Sequence, residues 1–291
     1  MADLSKFEVV VGAGIGGAKR NSTSSLNGRL WFRYDSQKLA ILLDVVRCLR
    51  VDRLNWISKS PSEDERRIVS DISLETFAGV EVVDELGRLR EQYATTGAYP
   101  VLLGDEDDCD HIQECMEFGA DDGLTQSGIR AASLQIDPQR FLAEQGECVP
   151  SDGQPGEWPT EEVEPIELVT YLDLETGTPK EEVAIALLRI RQPWEVFAAL
   201  MWGGWNACAD AASHCAAHRR WYEKFGAEVV SVTGDCVQCW VARPPATQEE
   251  ALELAWEQYA YCPDIVLQGT ETVSALAAAL MVSEFWYFWW E

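Results

Sequence analysis

The spacing of histidine and cysteine in this chain is the pattern closest to a site of chemistry. His214 and His218 are four residues apart, so on a helix both side chains would share one face and could ligate one metal ion. Cys236 and Cys239 follow with the two-residue gap of a zinc knuckle. Cys239, however, lies in an alternating strand pattern and not on a glycine-bearing turn, which favours buried thiols and helix-surface histidines. We therefore predict no metal and no cofactor, and keep these four residues as weak candidate ligands.

Other catalytic signatures are weak or missing from the sequence. Cys262, which precedes a proline, is the best candidate for a Cys–His nucleophile, but no local motif supports it. The G-x-G-x-x-G pattern at 12–17 follows a predicted strand at 7–11, as a dinucleotide-binding loop would, yet turn-forming residues stand where a helix should begin. The motifs of serine hydrolases, zinc peptidases, Walker-type nucleotide-binding proteins and kinases do not occur. The sequence thus leans away from an enzyme.

A third group of candidates consists of polar side chains set among aromatic residues in the last hundred positions. Polar groups fixed beside aromatic walls are what a ligand or peptide pocket needs. The same side chains would also suit a hydrogen-bonded scaffold, with Asn206 and Asp264 tying loops to backbone amides. Both alternatives stay open for the set Trp205, Asn206, Tyr222, Asp235, Glu257, Gln258, Asp264 and Gln268.

Short motifs in this last third of the chain occur in an order that resembles a known bacterial family. They are Gly203-Gly204-Trp205-Asn206, Thr233-Gly234-Asp235, Cys262-Pro263-Asp264-Ile265-Val266 and Trp286-Tyr287-Phe288-Trp289-Trp290. On these residues the C-terminal third is identified as a member of the family called domain of unknown function 4253. The polar and aromatic candidates match positions where that family has similar residues. No activity is assigned to the family, so the resemblance implies no particular reaction.

The charge of the chain restricts its partners. The formal net charge is −26, from 49 Asp and Glu against 23 Lys and Arg. Such a surface repels nucleic-acid phosphates and anionic lipids, so we expect no nucleic-acid and no membrane binding. A basic protein would be attracted and steered towards it, although acidity of this kind also serves solubility alone.

Nine of the carboxylates lie between Asp105 and Asp122, where there is no Lys or Arg. A calcium-binding loop counted from Asp105 would need glycine at its sixth position and glutamate at its twelfth, but Asp110 and Met116 occupy them. The pattern instead predicts a capped and solvated helix start, because carboxylates favour the positive end of a helix dipole.

The elements that must position all these residues can be predicted from periodicity and capping. In the first half we predict strands at 29–34, 54–57 and 99–104, and helices at 36–49, at 80–93, in the acidic stretch, and after Asp137. In the second half we predict strands at 166–174, 183–190, 228–232, 237–242 and 285–290, and helices at 210–225, 247–262 and 272–281. This order indicates an α+β fold, with helices on one face of a mixed or antiparallel sheet.

Residues 146–165 mark the clearest boundary, since four prolines and three glycines punctuate an acidic stretch. We predict an N-terminal α/β region at 1–145, a linker or surface loop at 146–165, and a C-terminal α+β domain at 166–291. One continuous sheet that spans the loop is the alternative. There is no run of eighteen apolar residues and no signal-peptide pattern, so we expect a cytoplasmic protein.

Charge, an aromatic-rich C-terminal domain and missing catalytic motifs together favour a non-enzymatic module that binds a basic protein. An inhibitor or immunity-like protein is one form of this. The alternative is an enzyme or small-molecule sensor with a polar-aromatic pocket around Trp205, Asn206, Glu257 and Asp264. The identity of its ligand stays unknown from the sequence.

Overall fold

A computed structural model describes residues 72–149 and 155–291 of the chain. Several predictions fall before residue 72 and lie outside the described residues. They are the glycine-rich pattern at 12–17, the strands at 7–11, 29–34 and 54–57, and the helix at 36–49.

The described residues form one six-stranded sheet and one small hairpin. The strands are β1 (Ser73–Ala78), β2 (Tyr99–Gly104), β3 (Leu172–Asp173), β4 (Thr178–Pro179), β5 (Glu182–Leu188), β6 (Ala227–Val232), β7 (Cys236–Val241) and β8 (Phe285–Trp289). The order across the large sheet is β1-β5-β2-β6-β7-β8, and β3 pairs with β4 apart from it. Only β2 and β6 are parallel neighbours in this sheet, so it is mixed.

Strands from both sides of the segment 146–165 alternate in this sheet. β5, which follows the segment, lies between β1 and β2, which precede it. The alternative of one continuous sheet is therefore the arrangement that the structure has. Every residue of β2 is buried, because neighbouring strands cover both edges and helices cover both faces.

Helices connect the strands much as the capping pattern predicts. They are α1 (Val82–Thr96), α2 (Glu106–Asp121), α3 (Gln126–Ser133), α4 (Pro138–Cys148), α5 (Val196–Leu200), α6 (Ala211–Phe225), α7 (Gln248–Tyr261) and α8 (Val273–Val282). The side chains of Asp105, Asp137, Asp210 and Thr247 each accept a hydrogen bond from the first turn that follows. The predicted α+β class is confirmed. No helix in residues 72–149 or 155–291 is long and apolar enough to cross a membrane.

Helices cover both faces of the sheet, so the prediction of one covered face is wrong. Because side chains alternate along a strand, Leu102 points to one face and Val101 to the other. Leu102 packs with Val82 and Leu86 of α1. Val101 belongs to the larger core, which includes α2 and α5 to α8.

The predicted strand at 166–174 is wrong except at Leu172–Asp173. Residues 155–171, which we call the strap, cross the sheet without strand pairing. Side chains replace the missing ladder, chiefly Gln238 of β7, which accepts hydrogen bonds from the N–H groups of Val169 (2.7 Å) and Thr170 (3.1 Å). The Gln238 amide also donates to the carbonyl oxygen of Glu167 at 2.8 Å. The strap is thus held by side-chain hydrogen bonds where periodicity alone predicts a strand.

The side chains of the last strand, β8, are less buried than its run of consecutive aromatics predicts. Consecutive aromatics suggest burial on both faces, but burial alternates along the strand. Trp286 and Phe288 are fully buried, whereas Phe285, Tyr287 and Trp289 are partly exposed. One face of β8 therefore enters the core, and the other meets solvent.

Candidate functional site

The loop at 203–209 is shaped around His214. Gly203 has φ of 114° and Gly204 has φ of 95°, a region that residues with side chains rarely adopt. A Cβ atom added at Gly203 would lie 2.6 Å from Cδ2 of His214 and 2.4 Å from the carbonyl oxygen of Ala209. The glycine of the Gly203-Gly204-Trp205-Asn206 motif is therefore needed where the backbone approaches this imidazole.

His214 and His218 are fully buried, so the prediction of helix-surface histidines is wrong. Both contact the hydroxyl of Tyr261 at the end of α7: Nδ1 of His214 at 2.5 Å and Nε2 of His218 at 2.9 Å. The second nitrogen of each ring faces a thiol. Cys208 Sγ lies 3.2 Å from Nε2 of His214, and Cys239 Sγ lies 3.5 Å from Nδ1 of His218. These five residues, Cys208, His214, Tyr261, His218 and Cys239, form what we call the His–Tyr–His array.

The hydrogen-bonding capacity of the array is satisfied when both imidazoles are neutral. A neutral imidazole has one donor and one acceptor nitrogen, and a phenol donates once and accepts. The bonds can then run in one direction, from the Cys208 thiol through His214, Tyr261 and His218 to the Cys239 sulfur, or all in reverse. Burial lowers the pKa of His214 to about 3 and, together with His214, holds the pKa of His218 well below its usual range. Burial also raises the pKa of the Cys208 and Cys239 thiols, so the array carries no charge near neutral pH.

Three of the four weak metal candidates, His214, His218 and Cys239, meet in the array, but Cys236 does not. In a strand, residues three apart point to opposite faces, and this separates Cys236 from Cys239. Cys236 Sγ donates to Oδ1 of Asp235 at 3.2 Å and lies 3.0 Å from the Tyr287 hydroxyl. Within residues 72–149 and 155–291, no group of three or more His, Cys, Asp or Glu side chains is placed to hold a metal ion.

Aromatic rings enclose the array. Ring centroids lie 5.1 Å apart between Trp202 and His214, 5.3 Å between Trp290 and Tyr261, and 5.0 Å between Trp221 and Tyr261. Trp202, Trp221 and Trp290 are all buried. The polar groups of the array therefore lie inside an apolar shell, where unpaired polar groups would be costly.

Three of the polar candidates meet at the end of β8. Asn206 donates to the carbonyl oxygen of Glu291 at 3.1 Å, and the N–H of Glu291 donates to Oδ2 of Asp264 at 3.2 Å. Gln268 donates to Oδ1 of Asp264 at 3.2 Å and to the Glu291 carboxylate at 2.9 Å. These contacts are the backbone ties that the scaffold alternative predicts for Asn206 and Asp264.

Asp235 and Trp205 border this group. The Trp289 indole donates to Oδ2 of Asp235 at 3.0 Å, and the N–H of Trp290 donates to the Asp235 carbonyl oxygen at 3.2 Å. Trp205 is partly exposed and has its ring 4.7 Å from that of Trp202 and 5.4 Å from that of His111. Trp205 thus connects the surface to the aromatic shell of the array.

The remaining candidates lie elsewhere. Glu257 accepts from both Nε and a terminal nitrogen of Arg220 and also from the Trp221 indole at 3.0 Å. Tyr222 has its ring 5.0 Å from that of Trp194. Gln258 is buried, and its Nε2 has no hydrogen-bond partner among the described residues. The structure therefore does not gather the eight candidates into one cleft.

The acidic stretch begins as a capped helix, which confirms that prediction. Asp105 accepts from the N–H of Asp108, and Asp108 accepts from the N–H of Asp105, each at 3.2 Å. Lys180, next to β4, pairs with Asp105 at 2.8 Å and with Asp108 at 2.9 Å. Burial raises the pKa of Asp108, and the hydrogen bond from the Gly234 backbone and the charge of Lys180 oppose that rise.

Gly234 contacts this helix through its backbone N–H and does not adopt the predicted turn geometry. We predict from the sequence that Gly234 and Asp235 adopt positive φ in the β6–β7 turn, and neither does. Instead, the Gly234 N–H donates to Oδ1 of Asp108 at 3.0 Å. An added Cβ would lie 3.4 Å from that oxygen, an ordinary van der Waals distance, so the contact with α2 does not itself require glycine.

Tyr261 and Lys180 are central to these networks, and the sequence interpretation passes over them. Tyr261 lies one residue before the predicted helix end, and nothing local distinguishes it from a packing aromatic. One signal was present for the histidines: His218 falls on the same helical face as Ala211 and Cys215, which predicts burial.

Comparison with known proteins finds a family that matches the C-terminal region of the chain. A family model described as "Domain of unknown function (DUF4253)" matches residues 184–291. No match was found among curated proteins or among solved structures. The matched region contains the 203–209 loop, the whole His–Tyr–His array and the β8 end. Residues 184–291 of this chain thus match the family described as domain of unknown function (DUF4253), the family that their motifs resemble.

Proposed function

We propose that this chain is a cytoplasmic, non-enzymatic module that binds a basic protein, and that the outward face of α2 is its docking surface. The observation that carries the proposal is an unbroken acidic stripe on that helix. Asp107, Asp110 and Glu114 are exposed and recur at spacings of three and four residues, so they share one face. Glu106 beside them is exposed as well.

Nothing in the described part of the chain neutralises this stripe. The ion pairs at the helix start involve Asp105 and Asp108, which Lys180 contacts, and none of the described ion pairs involves the stripe. Against a net charge of −26, such a surface supports fast, salt-sensitive association with a cationic partner. Inhibition of a basic toxin-like protein, as an immunity protein performs, is the form of binding that this chemistry suits.

The rival function, an enzyme or small-molecule sensor, requires Trp205, Asn206, Glu257 and Asp264 to line one cleft. Glu257 instead pairs with Arg220, while Asn206 and Asp264 bind the backbone of Glu291. This arrangement gives the rival less support than the acidic stripe gives to binding.

The test is affinity capture from native lysate with two charge-matched variants. Asp107→Asn/Asp110→Asn/Glu114→Gln removes three charges from α2. Glu81→Gln/Asp84→Asn/Glu91→Gln removes three exposed charges from and beside α1, on the opposite face of the sheet. We expect a basic protein to be captured in stoichiometric amount by the wild type and by the α1 variant, and to be lost from the α2 variant.

The same capture is repeated at increasing salt concentration to measure how binding depends on ionic strength. Binding that weakens steeply as ionic strength rises supports the electrostatic mechanism. Equal capture by both variants, or capture that survives high salt, would remove α2 as the docking surface. A small molecule or metal released from the purified protein, with no protein bound, would favour the rival function.

A further inference from the structure

A continuous path of aromatic rings leads from the surface to the His–Tyr–His array. It starts at the partly exposed Trp205 and passes to Trp202 at 4.7 Å between ring centroids. It continues to Trp290 at 5.6 Å and reaches Tyr261 at 5.3 Å. Each step is a direct ring contact of the kind that packed aromatic pairs make. Indole and phenol are also the side chains that are most readily oxidised by one electron, apart from the sulfur-containing ones.

Tyr261 differs from an ordinary buried tyrosine in what its hydroxyl contacts. A phenol that loses an electron must also lose its proton, and in a dry core it needs a base within hydrogen-bond distance. Nδ1 of His214 and Nε2 of His218 are both within that distance, and one of them accepts the hydroxyl proton in either direction of the array. Buried Tyr99 provides a contrast, because its hydroxyl donates to the carbonyl oxygen of Val229 at 2.8 Å, and a carbonyl cannot take up the proton.

We propose that Tyr261 is a site of reversible one-electron oxidation, supplied through Trp290, Trp202 and Trp205 by a diffusing one-electron oxidant of the inorganic-radical class. The oxidant removes one electron at Trp205. Electrons then pass outward in steps, from Trp202 to Trp205, from Trp290 to Trp202 and from Tyr261 to Trp290, so that the oxidised site ends at Tyr261. At Tyr261 the O–H bond breaks and an N–H bond forms on His214 or His218, which leaves a neutral phenoxyl radical and an imidazolium.

The array is arranged to hold the product as well as to form it. Before oxidation, one imidazole accepts the phenol proton and the other donates its N–H to the phenol oxygen. After oxidation, both imidazoles donate an N–H to the phenoxyl oxygen. The net negative charge of the chain favours the positive charge of the imidazolium. One electron from a diffusing thiolate, which becomes a thiyl radical, and the same proton from the imidazolium then restore the starting state.

The experiment uses azide radicals, generated by pulse radiolysis, on the intact purified protein. Azide radicals oxidise tryptophan, and optical absorption then separates tryptophan radicals from tyrosyl radicals. We expect tryptophan radicals to decay as a tyrosyl signal grows. Tyr261→Phe should abolish that growth, whereas Tyr99→Phe, which also removes a buried hydroxyl, should preserve it.

The path has its own matched pair of variants. Trp205→Phe should remove most of the tyrosyl growth. Trp256→Phe should leave it unchanged, because Trp256 is 42% exposed and contacts Tyr259, outside the path. In frozen samples, electron paramagnetic resonance should show couplings to two exchangeable protons on the radical oxygen, and these should vanish in deuterium oxide.

Each result decides the matter. A tyrosyl signal that persists in Tyr261→Phe, or no tyrosyl growth in the wild type, overturns the site. Equal growth in Trp205→Phe and the wild type overturns the path. If Tyr261→Phe does not fold, the Trp205 comparison and the two proton couplings in the wild type still decide, because neither needs a change in the array.

Discussion

Gly203 and Gly204 are neighbours with similar backbone conformations but different surroundings. A Cβ at Gly204 would meet nothing within 4 Å, whereas at Gly203 it would strike His214 and the Ala209 carbonyl. We expect Gly204→Ala to lower the free energy of unfolding by about 1–3 kcal/mol, the cost of its positive φ alone. Gly203→Ala should cost more than about 4 kcal/mol, because the clash adds to that strain. Urea denaturation of both variants measures the difference, and equal losses would mean that His214 does not require the glycine.

The buried histidines predict how stability depends on pH. The pKa of His214 is about 3 in the folded protein and near 6.5 when it is exposed in the unfolded chain. The unfolded state therefore binds more protons below pH 6.5, so stability falls as the pH is lowered through that value. His214 and His218 together should give a slope of up to about 2.7 kcal/mol per pH unit.

Urea denaturation between pH 7.5 and 5.5 measures this slope, in a range where most carboxylates stay ionised. His214→Gln keeps a donor and an acceptor but does not titrate, so it should reduce the slope by roughly half. A stability that is flat across the range would show that the imidazoles are not buried in neutral form.

At the scale of elements, one amide, that of Gln238, makes three of the hydrogen bonds that hold the strap. Gln238→Leu leaves two N–H groups and one carbonyl of the strap without partners, and should cost about 3 kcal/mol or more. Gln258→Leu is the matched control: it is also buried, but its Nε2 bonds nothing in the described residues, so its loss should cost less than about 1 kcal/mol. Thermal denaturation compares the two, and similar losses would show that the strap is held by packing and not by Gln238.

The elements that the sequence predicts well are those with local causes. The helix starts at Asp105, Asp137, Asp210 and Thr247 follow from a capping side chain and the pattern after it. The strap could not be predicted, because its partners are side chains distant in sequence, chief among them Gln238 about 70 residues away. The His–Tyr–His array could not be predicted either, because its residues are also distant in sequence. Tyr261 contacts both histidines only after α6 and α7 have packed together. The polar candidates at 206, 264 and 268 do converge, but on Glu291: Asn206 and Asp264 bind its backbone, and Gln268 binds its carboxylate. Periodicity cannot show this.

At the scale of the whole molecule, the residues that match the family form only part of the large sheet. Residues 184–291 include β6, β7, β8 and most of β5, but β5 and β6 are not neighbours, since β2 lies between them. A fragment of residues 184–291 should therefore fail to fold alone, because its β5 would lose both sheet partners. Far-ultraviolet circular dichroism and amide nuclear magnetic resonance spectra, with the full chain as control, measure this. Cooperative unfolding of the fragment would show that the family region is an independent domain.

The interleaved strand order also means that paired strands are synthesised at different times. β2 emerges from the ribosome roughly 80 residues before its partner β5 and roughly 120 before β6, a delay of several seconds at common elongation rates. During that interval Tyr99–Gly104 is an apolar segment with two unpaired edges, because the strands that pair with it have not yet been synthesised. The nascent chain is therefore most open to wrong pairing and to chaperone capture at β2, and it stays so until β6 has been made.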